Sequence, residues 1–401
     1  MKISSLENII ATHSVKKSDI IIGIPSYNEA DNIAFVVEQC NLGLRKYFPQ
    51  YSSVIINADN NSPDGTRQAF LSAMNTIPKL YVSTPPGVKG KGNNILNLFQ
   101  VAKHLSTKLI VVVDADIKSI TPEWIRDLAS PIIEQKFDYL TPLYSRNEYD
   151  GTITNHICYP LLLGLLGCDI RQPIGGDFAL SAELYQRYLE QDWLEPTRQY
   201  GVDIFMTLHA ILGGYKIGQV SLGAKIHKPS MPKLGPMFTQ VVQTLFKTLL
   251  YHRDAWQNIK GTLSIPIFGR HQQATPQNLS IDYKSIKGKA KDEFTTHRDI
   301  LSHTLNPQSF HKLQRMFCSD KLRIGVDIWS KVLYDLFYAY DLSGYNDRII
   351  EALKSLYFAR VASFIRQSLD LDHLESEQLI WRQGQYFFKK RNYILQKFHI
   401  N

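Results

Sequence analysis

The sequence predicts an α/β protein built on a mainly parallel sheet that is flanked by helices. The first observation is the run LIVVVDAD at residues 109–116, in which five apolar, mostly β-branched residues precede two aspartates. A strand that is apolar at consecutive positions is buried on both faces, as strands of parallel sheets are. The second observation is that similar strands alternate with helical segments over residues 20–144, the pattern of β–α–β units.

The predicted elements follow one another in a regular order. Strands are predicted at residues 20–25, 53–59, 79–83, 109–113, 138–144 and 215–226. Helices are predicted from the turn after residue 26 to about residue 47, at 66–75 and 93–105, from residue 122, and from residue 201. Ligands of open α/β sheets bind beyond the carboxyl ends of the strands, so the polar residues there are the candidate site residues.

The composition is that of a globular protein with room for a large core and two domains. Of the 401 residues, 44% are hydrophobic and 20% are charged. The net charge of +8 suits phosphorylated small molecules as well as nucleic acid. The most basic segments, residues 284–291 and 389–391, are short, and we interpret them as solvated faces. We therefore expect no nucleic-acid partner.

The cysteines and apolar runs bear on the cellular setting. The four cysteines are scattered without C-x-x-C spacing, which indicates neither a zinc site nor a disulfide framework. The N-terminal residues lack the apolar stretch of a signal peptide. The longest apolar run, residues 159–168, is well below the roughly 18 residues of a membrane-spanning helix. We therefore expect a cytoplasmic protein without a membrane span.

Two carboxylates, Asp114 and Asp116, follow the central strand. Residues two apart in a strand point to the same side, where like charges repel each other unless a cation lies between them. A hard divalent ion such as Mg²⁺ or Mn²⁺, which also binds substrate phosphates, is the usual ligand of such a pair. The alternative, two solvated or capping aspartates, stays open from these residues alone.

A glycine-rich loop, GVKGKG at residues 87–92, precedes a predicted helix. It matches neither the dinucleotide-binding nor the P-loop fingerprint. Its glycines would let the backbone approach an anion, and Lys91 at the helix start would add positive charge. The alternative is a mobile surface loop with solvated lysines.

A second polar stretch begins with paired glycines, Gly175 and Gly176, before Asp177. Paired glycines suggest a backbone that passes close to a ligand. Asp203 lies in the first turn of a predicted helix, where a carboxylate also interacts favourably with the helix dipole. His227 follows the last predicted strand, and on its own it is more simply an ordinary surface or core histidine.

Together these blocks resemble nucleotide-sugar-dependent glycosyltransferases of the GT-A fold. The matching features are PSYNE at residues 25–29, an acid at residue 59, G-K-G at 90–92 and D-x-D at 114–116. In the second half, QPIGGD at 172–177, YGVDI at 200–204 and SLGAKIH at 221–227 resemble the glucosyl-3-phosphoglycerate and glucosylglycerate synthases. That family is similar to the mannosylglycerate synthases. The resemblance covers about residues 18–260.

The resemblance implies metal-dependent, retaining transfer of a hexose from a UDP- or GDP-sugar, glucose before mannose, to D-glycerate or 3-phospho-D-glycerate. It implies Mg²⁺ or Mn²⁺ held by Asp116 and His227. A base and ribose pocket is implied at Pro25, Tyr27, Glu29, Asp59 and Asn60. Further implied roles are Lys91 on the diphosphate, Asp114 towards the ribose or a metal-bound water, Lys225 beside the donor, and Asp177 and Asp203 near the sugar as catalytic candidates.

The acceptor site departs from the family pattern. The resemblance places the acceptor at Gly151, Thr152 and Thr154, but the family has an arginine where Thr152 stands and an asparagine where Pro229 stands. Loss of the arginine removes a bidentate contact to phosphate. We therefore expect D-glycerate to be used at least as well as 3-phosphoglycerate, unless another cation takes over. The candidates for that role are Arg146, Lys228 and Lys233.

The expected domains are an N-terminal extension at residues 1–17, a GT-A domain at 18–265, a linker or excursion at 266–292 and an α-helical region at 293–401. We expect the helical region to pack against the catalytic domain or a second subunit, and the protein to be a homodimer. Two alternatives stay open: a transferase acting on a polyprenyl phosphate or another membrane-surface acceptor, and a non-catalytic domain that binds nucleotide-sugars. The intact Asp114, Asp116, His227 and Lys91 argue against the second.

Overall fold

The computed structural model describes residues 15–74, 76–228, 234–269, 276, 282–319 and 322–399. The chain divides into two compact units. The first comprises Met1–Ser145, Gln172–Leu234 and Ile265–Gln277, and the second comprises Arg146–Arg171, Gly235–Ser264 and Asn278–Asn401. Each unit is described by itself. The domain boundaries proposed from the sequence, and the homodimer, stay predictions.

The first unit is built on an eight-stranded sheet in the order β8-β7-β5-β6-β4-β1-β2-β3. The strands are β1 (Ile20–Ser26), β2 (Ser53–Asp59), β3 (Lys79–Ser83), β4 (Leu109–Val112), β5 (Tyr139–Ser145), β6 (Phe178–Ser181), β7 (Ile217–Ala224) and β8 (Ile267–Phe268). Neighbouring strands are parallel except at β6, which runs antiparallel to both β4 and β5. The predicted fold class is therefore confirmed.

Helices connect and cover these strands. They are α1 (Ile33–Tyr47), α2 (Thr66–Ser72), α3 (Lys91–His104), α4 (Pro122–Gln135), α5 (Ala182–Leu189), α6 (Glu195–Arg198) and α7 (Val202–Leu212). The apolar stripes of α1 and α4 face the sheet and form one core with it, which includes Ile22, Val36, Val111 and Leu128. Gly43 of α1 packs so closely against α4 that a Cβ there would lie 2.8 Å from Ile125.

Most strand predictions are accurate, but two short strands, β6 and β8, were not predicted and one expectation about the end of β4 is wrong. The antiparallel strand β6 was not predicted, because its four residues are too few to show a periodic pattern. Strand β4 ends at Val112, and the chain then enters a turn that contains Ala115 and Asp116. Asp114 and Asp116 therefore do not extend the strand with their side chains on one side. The backbone N–H of Val113 still bonds to Gly23 of β1, at 2.9 Å, before the chain leaves the sheet.

The second unit is almost entirely helical. Residues 154–166 form a continuous helical stretch that includes two π-helical segments, Thr154–Cys158 and Leu162–Leu166. The short strands Cys168–Asp169 and Leu263–Ser264 pair with each other. The remaining helices are α8 (Leu234–Tyr251), α9 (Arg253–Gln257), α10 (Tyr283–Thr296), α11 (Arg298–Thr304), α12 (Pro307–Cys318), α13 (Val326–Leu342), α14 (Asp347–Ser368), α15 (His373–Lys389) and α16 (Arg391–His399).

The prediction of a helical C-terminal region is confirmed. Its helices begin earlier than expected, because α10 starts at Tyr283, inside the polar segment interpreted as a linker. The core includes Tyr159, Leu163, Phe364 and Ile380, and a Cβ on Gly384 of α15 would lie 2.8 Å from the Tyr159 ring. Within the described ranges, none of the helices has both the length and the apolar character that crossing a membrane requires.

Candidate active site

The polar residues of the first unit gather at the carboxyl edge of its sheet. Strands β1, β2 and β4 are parallel neighbours, so the loops that follow them leave the sheet on the same side. The loop after β1 carries Tyr27 and Glu29, β2 ends on Asp59, and the loop after β4 carries Asp114 and Asp116. This is the edge at which open α/β sheets bind their ligands.

A cluster of three carboxylates and two ammonium groups occupies this edge. Lys91 Nζ lies 2.9 Å from Asp114 Oδ1 and 3.2 Å from Asp203 Oδ1. Lys225 Nζ lies 3.1 Å from Asp114 Oδ2 and 3.4 Å from Asp177 Oδ2. We call these five residues the charge cluster. They come from five separate parts of the chain, and all five are site residues predicted from the sequence.

The glycine-rich loop places Lys91 by close packing. Lys91 is the first residue of α3, and the glycines on either side of it pack against the C-terminal end of α6. A Cβ on Gly90 would lie 2.3 Å from the carbonyl oxygen of Arg198, and one on Gly92 would lie 2.0 Å from that of Thr197. No side chain can be accommodated at such distances. The alternative of a mobile loop with a solvated Lys91 is therefore wrong, because this end of the loop is packed.

The paired glycines pack closely against other parts of the first unit. Gly176 has a φ of +92°, and a Cβ there would lie 1.9 Å from Asp114 Oδ2, while a Cβ on Gly175 would lie 2.1 Å from Pro142. The backbone therefore passes close to Asp114 and Pro142, and its approach to a ligand stays a prediction. Any larger residue at Gly176 would displace the Asp114 carboxylate from the charge cluster.

Asp177 is fully buried and holds the loop of Asp114 by a hydrogen bond. Its Oδ1 accepts the backbone N–H of Asp114 at 2.9 Å, and its Oδ2 accepts the hydroxyl of Tyr144. Lys225, also buried, donates to the carbonyl of Gly175 at 2.7 Å. Both oxygens of Asp177 are thus engaged inside the protein, whereas Asp203 keeps a small exposed fraction, 9%.

The pKa values of four members of the charge cluster are shifted from their ordinary values. Burial by itself raises the pKa of Asp114, but Lys91 and Lys225 outweigh it and hold that pKa below its usual value. Burial lowers the pKa of Lys91, but Asp114 and Asp203 reverse this, so the net shift is upward. Burial raises the pKa of Asp177 and of Asp203, and the lysines only partly oppose it. Lys91 is therefore a permanent positive charge at neutral pH.

The predicted base and ribose pocket is only partly open to a ligand. Pro25 lies within β1 and Asn60 directly follows β2, and both are buried. Asp59 is also buried, and its carboxylate accepts hydrogen bonds from Ser26 Oγ, Ser62 N, Ser62 Oγ and Tyr81 OH at 2.6–2.8 Å. Its lone pairs are therefore used within the protein.

The side chains of Tyr27 and Glu29 each accept a hydrogen bond from a lysine. Lys89 Nζ donates to the Tyr27 hydroxyl at 2.7 Å, and Lys228 Nζ donates to Glu29 Oε2 at 2.7 Å. Burial raises the pKa of Glu29, Lys228 opposes the shift, and the negative charge of Asp116 adds to it. Asp116 and Glu29 are therefore near enough to repel each other.

The loops of the two predicted metal ligands are joined by hydrogen bonds. The backbone N–H of Lys118 donates to the carbonyl of Ile226 at 2.8 Å, and the N–H of Ile226 donates to Ser119 Oγ at 3.0 Å. Asp116 and His227 lie next to these bonded residues. In the described part of the chain, no hydrogen bond or ion pair involves the Asp116 side chain. The fold thus joins two loops that the sequence separates widely.

The predicted acceptor residues lie in the second unit. The Thr152 hydroxyl is buried and lies 2.5 Å from the hydroxyl of Tyr357 on α14, and Thr154 is also buried. Gly151, with a φ of +67°, lies beside Arg146, which pairs with Asp150 at 3.2 Å. Pro229 and Lys233 lie outside the described residues.

Several residues that shape the site were not found from the sequence. Tyr144 and Tyr81 donate to Asp177 and Asp59, and Asn32 donates to two carbonyls of the Asp116 loop. Tyr144 and Tyr81 lie on predicted strands and carry no motif. Asn32 belongs to the polar turn that precedes the predicted amphipathic helix, and no motif marks its contacts with the Asp116 loop.

Part of the chain matches a known family of proteins. Residues 21–189 match the family described as Glycosyl transferase family 2. The chain is similar to glucosyl-3-phosphoglycerate synthase from Mycobacterium tuberculosis in complex with Mn²⁺, uridine diphosphate and phosphoglyceric acid, with 24% identity, coverage of 62% of this chain and 82% of that chain, and a TM-score of 0.46. For the same enzyme in complex with Mg²⁺ and uridine diphosphate, the values are 24%, 62%, 83% and 0.45.

The matched range begins in β1 and ends with α5, so it contains Lys91, Asp114, Asp116 and Asp177. Asp203, Lys225 and His227 follow it in the chain and complete the same edge of the sheet. This agrees with the class of enzyme that the motifs predict. Over residues 21–189, which contain strands β1 to β6, the chain is therefore similar to glycosyl transferase family 2.

Proposed function

We propose that the protein is a metal-dependent, retaining glycosyltransferase that moves a hexose from a UDP- or GDP-sugar to D-glycerate or 3-phospho-D-glycerate. The observation that carries the proposal is the charge cluster beside the joined loops of Asp116 and His227. A permanently charged lysine next to an unpaired carboxylate and an imidazole is a suitable site for a metal-bound diphosphate. The choice of sugar and acceptor rests on the family resemblance of the sequence blocks.

The residues present fit a divalent metal of the Mg²⁺ or Mn²⁺ type. Asp116 has no competing partner among the described residues, and the bonds from Lys118 and Ser119 to Ile226 hold its loop next to that of His227. Within the described ranges, no group of three or more His, Cys, Asp or Glu side chains could hold a metal. Two protein ligands with diphosphate oxygens and water suit Mg²⁺ or Mn²⁺ rather than a closed zinc site. When bound, the metal supplies Lewis-acid stabilisation of the leaving diphosphate.

In this proposal the lysines have different roles. Lys91 is the cation that faces the diphosphate, because its ammonium is only partly enclosed, with 17% of its side chain exposed. Lys225 is more deeply buried, and its ammonium donates hydrogen bonds to Gly175, Asp114 and Asp177. We therefore propose that Lys225 acts on the donor through Asp114, whose carboxylate it orients, rather than by direct contact.

The two catalytic candidates also differ in what they can reach. Asp177 is enclosed and engaged by Asp114, Tyr144 and Lys225, which favours a supporting role. Asp203 lies at the start of α7, retains some exposure, and has Lys91 Nζ 3.2 Å from its Oδ1 and 3.5 Å from its Oδ2. We propose that Asp203 is the acid that approaches the transferred sugar.

We propose fewer acceptor contacts than the sequence alone predicts. The hydroxyl of Thr152 already pairs with Tyr357, so an arginine at this position would have to enter a packed helical core. Gly151 and the segment beside Arg146 remain the proposed contacts for a small acid. The missing bidentate clamp supports D-glycerate as an acceptor at least as good as 3-phosphoglycerate.

The deciding experiment is a matrix of four donors and two acceptors. UDP-glucose, GDP-glucose, UDP-mannose and GDP-mannose are each incubated with D-glycerate or 3-phosphoglycerate, with Mn²⁺ and after chelation. We expect product with a glucose donor only when both metal and acceptor are present, with retained anomeric configuration by NMR. Nucleotide-sugar hydrolysis that no acceptor accelerates would contradict the acceptor class. The absence of any binding of nucleotide-sugar would contradict the whole proposal.

A further inference from the structure

Asn32 occupies the N-cap position of a helix, yet its side chain does not cap that helix. It is the residue before α1, a position where asparagine usually accepts a hydrogen bond from the first turn of the helix. Here its side chain makes no such bond. By contrast, Asn306 and Asn346 occupy the same position on α12 and α14, and both accept a backbone N–H of their own helix.

The Asn32 side chain is directed instead at the loop of Asp116. Its Nδ2 donates to the carbonyl of Ala115 at 2.9 Å and to the carbonyl of Ile117 at 2.9 Å. These are the carbonyls on either side of Asp116. Carbonyl oxygens only accept hydrogen bonds, so the group that faces them must be the NH₂ of the amide. Both amide hydrogens are thus bonded to the carbonyls of Ala115 and Ile117, the two neighbours of Asp116 in the chain.

The bonds from Asn32 add to those that other residues make with the Asp116 loop at Asp114 and Lys118. Asp116 lies in a turn beyond the end of β4, and its neighbour Glu29 is also an acid. The backbone of Asn32 is bonded to Glu29, since its N–H donates to the Glu29 carbonyl at 3.1 Å. One buried residue therefore connects the turn after β1 to the turn after β4 across the carboxyl edge of the sheet.

We propose that Asn32 is a positioning residue that holds the Asp116 carboxylate in place for the divalent metal. The inference rests on the proposed function, in which Asp116 and His227 bind that metal. Asn32 does not touch the metal or the substrate in this account. It fixes the carbonyls of the two residues that flank the ligand in the chain, and residues of this kind commonly change metal affinity about 10–100-fold when they are removed.

The test compares Asn32→Ala with Asn346→Ala, which removes an asparagine from the same helical position but away from Asp116. Mn²⁺ alone is titrated into each protein, and free Mn²⁺ is followed by electron paramagnetic resonance. We expect Asn32→Ala to raise the Kd for Mn²⁺ at least tenfold, and Asn346→Ala to leave it unchanged. In turnover assays, the Mn²⁺ concentration for half-maximal activity should rise in Asn32→Ala, with kcat recovered at saturating Mn²⁺.

A second measurement reads the loop without metal. Hydrogen exchange of residues 113–119 in the metal-free protein should be faster in Asn32→Ala than in wild type and Asn346→Ala. Unchanged exchange of this segment in Asn32→Ala would overturn the inference. If the wild type binds Mn²⁺, an unchanged Kd for Mn²⁺ in Asn32→Ala would overturn it as well. A wild type that binds no Mn²⁺ would instead contradict the proposed function, and faster exchange in Asn32→Ala would still support the loop-holding role.

Discussion

The ammonium of Lys225 lies 3.1 Å from the carboxylate of Asp114, and both side chains are held in a packed part of the first unit. This ion pair fixes the position of the first aspartate of the D-x-D motif. Asp114 receives Lys225 on one oxygen and Lys91 on the other, so it is fixed between two cations. Asp116, two residues later, has neither, and so the two acids of one motif have different properties.

Asp116→Asn should abolish metal binding and glycosyl transfer without unfolding the protein. The carboxylate makes no ion pair within the described residues, so its removal leaves no buried partner unsatisfied. Isothermal titration with Mn²⁺ and an acceptor-dependent assay measure the two losses. Asp31→Asn is the control, because Asp31 is a nearby exposed acid that contacts Lys228. Near wild-type turnover of Asp116→Asn would refute the assignment. His227→Ala should lose less, with partial recovery in excess Mn²⁺.

Lys91→Ala should weaken the binding of a nucleoside diphosphate more than that of the nucleoside. The expected difference is about 1.5–3 kcal/mol, the usual contribution of a hydrogen bond to a charged group. Calorimetry with UDP and uridine measures it. Lys103→Ala, in the last turn of the same helix, should leave both affinities unchanged. If UDP and uridine lose the same affinity in Lys91→Ala, the lysine does not act on the diphosphate.

Lys225→Met should destabilise the fold strongly. The substitution leaves Asp177 and Asp114 with less positive charge in a buried site, and breaking a buried ion pair typically costs about 3–5 kcal/mol. Urea unfolding followed by circular dichroism measures the loss. Lys108→Met, which removes an exposed partner of Asp19, should change the unfolding free energy little. Equal effects of the two substitutions would show that Lys225 does not stabilise the charge cluster.

Thr152→Val should lower stability without changing acceptor preference. The substitution leaves the buried hydroxyl of Tyr357 without its partner, which costs about 1–3 kcal/mol. The ratio of kcat/KM for D-glycerate and 3-phosphoglycerate should stay at the wild-type value. A change in that ratio at unchanged stability would show instead that the threonine hydroxyl contacts the acceptor.

Glu123→Gln should remove a contribution to stability that depends on pH. Hydrogen bonds from Tyr47 and Lys46 lower the pKa of Glu123 from 4.5 to about 2. A carboxyl whose pKa is lowered by folding stabilises the protein above its unfolded pKa, and that contribution is lost as the pH falls through the folded pKa. The side chain is partly exposed, so the effect should be below about 1 kcal/mol.

The two unfolding free energies should therefore differ at pH 6 and converge as the pH falls from about 4.5 towards 2. Glu38→Gln, an exposed acid on α1, is the matched control. A difference between Glu123→Gln and wild type that stays constant over this range would contradict the proposed hydrogen bonds.

Much of the first unit could be predicted because its local signals are strong. The strands Ser53–Asp59 and Lys79–Ser83 agree with prediction at both ends, since each is a β-rich run bounded by turn residues. The antiparallel Phe178–Ser181 could not be found, because four residues carry too little periodic signal and its pairing partners are distant in the chain. The candidate site residues were chosen from motifs, and their roles remain proposals.

By itself, the sequence determined the fold class, the glycosyltransferase character of residues 21–189 and the identity of the charged residues, because each depends on local pattern or motif. Only the tertiary structure decided which charges meet. Asp114 and Asp116 are equivalent in the motif, but strand β4 ends at Val112 and the two side chains have different surroundings. Asp114 pairs with Lys91 and Lys225, whereas Asp116 has no ion pair among the described residues. Burial and distance between remote segments set these differences, and neither is encoded in the spacing of a motif.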